Sequence, residues 1–264
     1  VVDGHPFENS RAIDRLRVNS RQRPTLPRIS KADPGMAGRR GSVAPNVKIG
    51  IIGAGKIGGT LAKQLGALGH EVRVANSRDP QTLAELGAEP GVTAVWAADA
   101  AQDAELVIVS IPQKNVPDLA SGILAAACPG APVLETNNYY PARDGHIAAI
   151  EDGLTESEWV AQQLGVPVIK VFNGINWVRL RDNGVPAGTP GRIALPIAGA
   201  DGAGKQLAFA LVDELGFDPI DGGPLEESWR QQPGTLVYGT DLPADGVVEA
   251  LKNASPERPD AFRA

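Results

Sequence analysis

Lys48-Ile49-Gly50-Ile51-Ile52-Gly53-Ala54-Gly55-Lys56-Ile57-Gly58 is the stretch on which the reading of this chain turns. Its first five residues form a short β-rich run. A turn of the form G-x-G-x-x-G follows, and residues 57–68 then carry Ile57, Leu61, Leu65 and Leu68 at helical spacing. The chain holds 31 glycines, so the spacing alone says little. Strand, glycine turn and helix in that order give it meaning. Gly53 permits the tight turn, Gly55 lets the backbone approach a pyrophosphate, and Gly58 lets helix and strand pack closely. The helix start then offers free N–H groups and a positive dipole end to the anion. The turn Gly53, Ala54, Gly55, Lys56, Ile57 and Gly58 therefore reads as a dinucleotide cradle.

Outward from this unit the pattern alternates. Glu71–Ala75 is expected as a strand, 81–88 as a short helix, and 92–96 as a third strand. Leu106–Ile111 is a continuous apolar run, expected as a strand buried on both faces. A helix is expected over 117–127, a strand over 132–136, a helix over 155–164 and a strand over 168–172. Beyond these come a helix at 175–181, a strand at 193–197, a helix at 203–215 and a strand at 217–220. Strands alternating with helices imply an α/β fold, a Rossmann-type doubly wound parallel sheet. Residues 47–174 are assigned to that domain. Residues 175–264 are assigned to a small C-terminal α/β unit for substrate and dimer contacts, with a frayed polar tail from Pro243.

Residues 1–46 are a different kind of sequence, rich in Arg, Pro, Ser and Asn, with nine basic and four acidic residues. They are expected to be disordered. The sole methionine, Met36, suggests a start there, with an Arg-rich targeting segment as the rival reading. The rest of the chain carries 16 basic and 27 acidic residues, which argues against a nucleic-acid surface. No apolar run reaches the roughly 20 residues of a bilayer span. One cysteine, Cys128, allows no internal disulfide, and a cytoplasmic location is expected.

The end of the second strand selects the cofactor. Enzymes using NAD place a carboxylate there to accept from the ribose 2′-hydroxyl. Here the residues are Asn76, Ser77 and Arg78. An acid would repel a 2′-phosphate, whereas a guanidinium offers it several donors in a fixed fork. NADP(H) is the expected cofactor. Asp79 follows directly and is expected to point away.

These blocks together resemble the NADPH-dependent deazaflavin (coenzyme F-420) reductase family, in its bacterial dinucleotide-binding branch. Besides the glycine turn and the Asn76-Ser77-Arg78 corner, the resemblance runs through Ser110-Ile111-Pro112, Asn137-Asn138-Tyr139-Tyr140-Pro141 and Lys170-Val171-Phe172-Asn173. Leu195-Pro196-Ile197-Ala198-Gly199 and Asp221-Gly222-Gly223-Pro224-Leu225 continue it. The resemblance implies hydride transfer between NADPH and coenzyme F-420 or a flavin-like co-substrate, in a homodimer. It implies that Ser77 and Arg78 hold the 2′-phosphate, and that Ser110, Ile111, Pro112, Gln113, Asn137, Phe172 and Asn173 line the nicotinamide half. Two departures stand out. The archaeal pattern has a further basic residue after the serine–arginine pair, where this chain has Asp79-Pro80-Gln81-Thr82. Trp229-Arg230-Gln231-Gln232-Pro233-Gly234 replaces a more apolar helix beside the acceptor cleft.

Asn138, Tyr139 and Trp229 are the candidate acceptor contacts. Each has a plainer reading. Asn138 and Asn173 could cap helices. Tyr139 or Tyr140 could be packed aromatics, and Trp177 and Trp229 could belong to the core or an interface. His5, His70 and His146 are scattered, no cluster has metal-ligand spacing, and no catalytic side chain is assigned, because the cofactor carries the chemistry. Two further functions stay open: reduction of a small carbonyl or imine, and a non-enzymatic NADP(H) sensor.

Overall fold

A computed structural model describes residues 46–264. The expectations for the N-terminal extension and Met36 lie outside the described residues. Among the described residues eight strands run β1 (Lys48–Ile52), β2 (Glu71–Ala75), β3 (Val92–Ala94), β4 (Leu106–Val109), β5 (Val133–Glu135), β6 (Ile169–Lys170), β7 (Ala194–Ile197) and β8 (Asp218–Asp221). The helices are α1 (Lys56–Ala67), α2 (Ala84–Gly87), α3 (Pro141–Asp144), α4 (Ala148–Glu151), α5 (Glu156–Leu164), α6 (Trp177–Asp182), α7 (Ala203–Glu214) and α8 (Ala244–Lys252). The first six strands form a parallel sheet in the order β3-β2-β1-β4-β5-β6. This is the Rossmann order, reversing direction between β1 and β4.

Period-two alternation explains why apolar runs build this sheet. Ile49, Ile51, Val72, Val74, Leu106, Ile108 and Leu134 enter one buried cluster. Their neighbours Ile52, Ala75, Val107, Val109 and Val133 enter another on the opposite face. Helix α1 covers the first face with Leu61, Ala62 and Leu65. Helix α5 covers the second with Trp159 and Val160. Its start is fixed by a capping box in which Thr155 and Glu158 satisfy each other's backbone N–H groups. Gly50 interrupts the apolar alternation of β1 for a steric reason. A Cβ there would sit 2.3 Å from the Ala100 carbonyl oxygen of the crossover.

β7 and β8 form a parallel two-stranded sheet. It joins the main sheet by an antiparallel bridge, in which Lys170 and Ala198 exchange backbone hydrogen bonds of 2.8 and 3.1 Å. Two expectations are corrected here. No helix forms over 117–127. A 3₁₀ stretch, Gln113–Asp118, contains Pro117, and tight turns follow, closed by bonds such as Ile123 N–H to Ala120 and Ala125 N–H to Gly122. Proline removes a donor, and Gly122 at φ +77° breaks the helical path. The tail from Pro243 does not fray. Helix α8 buries Val247, Ala250 and Leu251 in a cluster with Ala194 and Ile220 of the small sheet.

Candidate functional site: a dinucleotide cradle and the strand ends beside it

At the end of β1, Gly53 takes φ +111°, and a Cβ would lie 2.1 Å from the Ser110 carbonyl oxygen. A Cβ on Gly58 would lie 1.9 Å from the Gly53 carbonyl oxygen. Gly55 differs: it caps α1 with an extended backbone and no side-chain bond, and a Cβ there would meet nothing. Two glycines thus close the turn, and the third leaves open space over it. The first turn of α1 holds no acid, and Lys56 is exposed there, its ammonium 5.4 Å from the Trp177 ring centroid. Arg181 lies against the same ring at 5.1 Å. Ala54 and Ile57 pack against the core and hold the turn in place. A pyrophosphate fits this cradle: the space is open, the donors are free, and the nearby charge is positive.

The next strand end is also open. The Asn76 Oδ1 accepts from the Arg78 backbone N–H at 2.8 Å, and its Nδ2 donates to Thr82 Oγ1 at 3.0 Å. Asn76 therefore shapes the corner as an Asx turn. Asp79 commits its carboxylate to the Gln81 backbone N–H at 2.8 Å. Ser77 and Arg78 are exposed, and among the described residues their side chains make no hydrogen bond or ion pair. A hydroxyl and a guanidinium stand free where a 2′-phosphate would lie.

The ends of β4, β5 and β6 are closed by comparison. Ser110 Oγ accepts from Thr136 Oγ1 at 2.9 Å, and the Ile111 N–H reaches Asn137 Oδ1 at 3.3 Å. Pro112 leads into the 3₁₀ stretch. Phe172 is buried with φ +61°. Asn138 and Asn173 bond each other at 2.9 and 3.1 Å, and Asn173 continues to Gln231. These amides tie β5 and β6 to the C-terminal segment rather than capping helices.

Three site expectations are corrected. Gln113 is buried and turned inward, donating to the Glu156 carbonyl at 2.9 Å. Tyr139 is a packed aromatic: its hydroxyl donates to the Gly145 carbonyl at 2.8 Å and accepts from the Ile147 N–H. Trp229 lines a separate cavity of about 1090 Å³ with Leu154, Glu158, Arg230, Gln232 and Arg258, which no residue of the glycine turn lines. The Tyr139 ring lies beside that cavity, 5.1 Å from the Arg258 guanidinium that lines it, while Asn138 is engaged with Asn173. Tyr140 is the half-buried member of its pair, its hydroxyl against that of Tyr238.

Sequence reasoning missed a buried charge cluster beneath these strand ends. Glu135 and Lys170 are register partners on β5 and β6, with Nζ 3.2 Å from Oε1. Lys170 also donates to the Asn137 carbonyl at 2.9 Å, and Glu135 Oε2 accepts the Asn137 N–H at 2.7 Å. Ser157 Oγ bonds Glu135 too. Glu156 lies 3.8 Å from Lys170 and 3.4 Å from Arg258, and its Oε2 has no hydrogen-bond partner. Burial pushes the Glu156 carboxyl up to about 7, against the pull of Lys170 and Arg258. The available signal was a Glu and a Lys of opposite sign inside apolar strands whose both faces are covered. Among the described residues no group of three or more His, Cys, Asp or Glu could hold a metal ion, and no helix is long and apolar enough to cross a membrane.

Fold and cradle together define a Rossmann-type dinucleotide-binding protein. Residues 48–139, from β1 to Tyr139, match the model of the family described as "NADP oxidoreductase coenzyme F420-dependent"; that segment holds the glycine turn, the Asn76-Ser77-Arg78 corner, Ser110-Ile111-Pro112 and Asn137-Asn138-Tyr139, while the blocks at 170–173, 195–199 and 221–225 lie outside it. The protein YjhV of Escherichia coli (strain K12) is 43% identical over 69 residues, 26% of this chain and 50% of YjhV. The match thus spans about half the length of that curated relative. Protein SMa0349 of Sinorhizobium meliloti superimposes with a TM-score of 0.64 at 28% identity, over 76% of this chain and 96% of that one. A protein of Arthrobacter sp. FB24, described as an F420-dependent NADP-reductase, gives 0.54 at 24% identity over 69% and 87%. At that identity it supports the fold alone.

Proposed function

We propose that this chain transfers a hydride between NADPH and a deazaflavin of the coenzyme F-420 type, or a flavin-like acceptor. The observation that carries the NADPH half is the free Ser77–Arg78 pair one strand along from the open Gly55 turn. The turn and Lys56 hold the pyrophosphate. Arg78 grips the 2′-phosphate with Ser77 beside it. Ser110, Ile111 and Pro112 at the end of β4, with Phe172-Asn173 beyond β6, border the nicotinamide half. The bound dihydronicotinamide supplies the hydride, and the protein positions it and limits its contact with water. The acceptor class rests on the family described for residues 48–139.

Anaerobic oxidation of NADPH tests this, with F-420, FMN, FAD and a panel of small carbonyls and imines as acceptors. Turnover with F-420 or a flavin is expected. Turnover with carbonyls or imines alone would replace the acceptor while keeping the cofactor. Tight NADPH binding with no turnover on any acceptor would favour a sensor.

A further inference from the structure

Trp96 follows β3 and is 54% exposed, second only to Leu236 among the exposed large apolar side chains of the described residues. Its backbone has a structural role, since its carbonyl accepts from the Asp99 N–H at 2.9 Å and starts the turn over Ala97–Asp99. Its ring has none. Among the described residues it stacks on no aromatic and faces no cation, whereas the rings of Trp177 and Trp229 are each covered by an arginine. Leaving an indole in water forfeits the gain of burying it.

The register places this ring. Val72, Arg73 and Val74 pair with Val92, Thr93 and Ala94. The Val95 N–H still bonds the Val74 carbonyl at 3.0 Å, so the pairing runs past the end of β3. One step further, Trp96 comes level with Asn76, where the Ser77–Arg78 corner begins. Neighbouring strands lie about 4.8 Å apart. The carboxyl ends of three adjacent strands therefore carry, in order, the open glycine turn on β1, a free guanidinium after β2 and a half-exposed indole after β3. A pyrophosphate, a 2′-phosphorylated ribose and a base are joined in that same sequence of steps.

We infer that Trp96 is the stacking platform for the adenine ring of the dinucleotide. This rests on the dinucleotide reading above and adds to it a residue that positions the base. The Arg78 guanidinium recognises the 2′-phosphate and so separates NADP from NAD. The Trp96 ring recognises a flat π-face and so holds both alike. The adenosine half is then fixed between a charge and an aromatic plane before the nicotinamide reaches the closed strand ends.

The test is calorimetry with NADP+, NAD+ and 2′,5′-ADP on wild type, Trp96→Ala, Trp96→Phe and Arg78→Ala. Loss of one base–aromatic stack corresponds to about a five- to hundredfold change in affinity. Trp96→Ala should weaken NADP+, NAD+ and 2′,5′-ADP by similar factors and leave the ligand-free melting temperature unchanged. Trp96→Phe should keep most of the affinity and lose the fluorescence quenching that 2′,5′-ADP causes in wild type. Arg78→Ala should weaken NADP+ and 2′,5′-ADP but spare NAD+. Unchanged affinities in Trp96→Ala would overturn the inference. So would a loss for NADP+ without one for 2′,5′-ADP, which would put the ring at the nicotinamide half. A loss in Trp96→Phe as large as in Trp96→Ala, with a lowered melting temperature in both, would make the ring structural and overturn it as well. Failure of wild type to bind 2′,5′-ADP would bring down the dinucleotide reading itself, and this inference with it.

Discussion

The two ends of the site are built in opposite ways. Over β1 and β2 the groups that would meet a ligand are backbone N–H groups, Lys56, Ser77 and Arg78, all open. Over β5 and β6 the polar groups bond one another: Glu135, Lys170, Asn137, Asn138 and Asn173 are buried or half-buried and engaged across strands. The first region is rigid through glycine sterics and keeps its donors for the ligand. The second is rigid through a polar network bonded mostly from within, with Asn137 Nδ2 and Glu156 Oε2 left without partners, and a ligand there meets a surface largely set. Substitutions should therefore separate into those that change binding alone and those that change stability first.

The largest effect is expected at Gly58. An added Cβ meets backbone at 1.9 Å, so Gly58→Ala should cost on the order of 3–5 kcal/mol. Gly55→Ala is the contrast. It meets nothing, so stability should hold within about 0.5 kcal/mol. Dinucleotide affinity should nevertheless fall at least roughly tenfold, as the new methyl stands where the pyrophosphate approaches. Thermal melts and calorimetry on both variants check this, and equal melting losses would erase the distinction between the glycines.

Lys170→Met leaves Glu135 charged and buried, and should cost about 3–5 kcal/mol in urea unfolding. Adding Glu135→Gln removes that charge while keeping an acceptor for the Asn137 N–H, and should recover at least half of the loss. No recovery would mean that packing, not charge, dominates the end of β5. Glu156 sets a pH dependence in the same region. The folded protein holds its proton to about pH 7, while the unfolded chain releases it near 4.5. The folded state binds more protons between these values, so this contribution is complete below about 4.5 and is lost as pH rises through 7. The full span corresponds to about 3 kcal/mol. Urea midpoints measured from pH 4.5 to 8 should show the fall, and Glu156→Gln should flatten it.

The smallest expected effects belong to the open corner and leave stability alone. Arg78→Ala should weaken NADPH roughly ten- to a hundredfold and leave NADH unchanged, as a charge-assisted bond is worth about 1.5–3 kcal/mol. Ser77→Ala should show the same selectivity with about a fivefold loss. Equal losses for both cofactors would move Arg78 from the 2′-phosphate to the pyrophosphate or the fold.

The same contrast explains what was legible in the sequence. Gly53, Gly55 and Gly58 sit in one strand–turn–helix unit and Arg78 just past the next strand, so local order along the chain was enough to expect the turn that the backbone shows. The parallel strands were legible because their apolar runs serve two faces at once. Partners distant in sequence were not. Glu135 meets Lys170 only through strand register, Gln113 turns inward because Glu156 offers it a carbonyl, and Tyr139 is covered by the 145–147 loop. The helix expected over 117–127 failed locally, because Pro117 lacks an N–H donor and Gly122 takes a positive φ. Tail residues 244–252 looked polar, yet three apolar side chains on one face sufficed to dock α8.

The Lys170–Ala198 bridge has a consequence for synthesis. β6 is two residues long and forms the edge of the main sheet until Ala198 pairs with it. An unpaired edge is a template for another chain, and short edge strands covered by a later segment are one way to blunt it. On the ribosome, at about 5–20 residues per second, that cover arrives a few seconds after β6 has emerged. In that interval the exposed edge is only two residues long, so little template is offered to a neighbouring chain before Ala198 covers it.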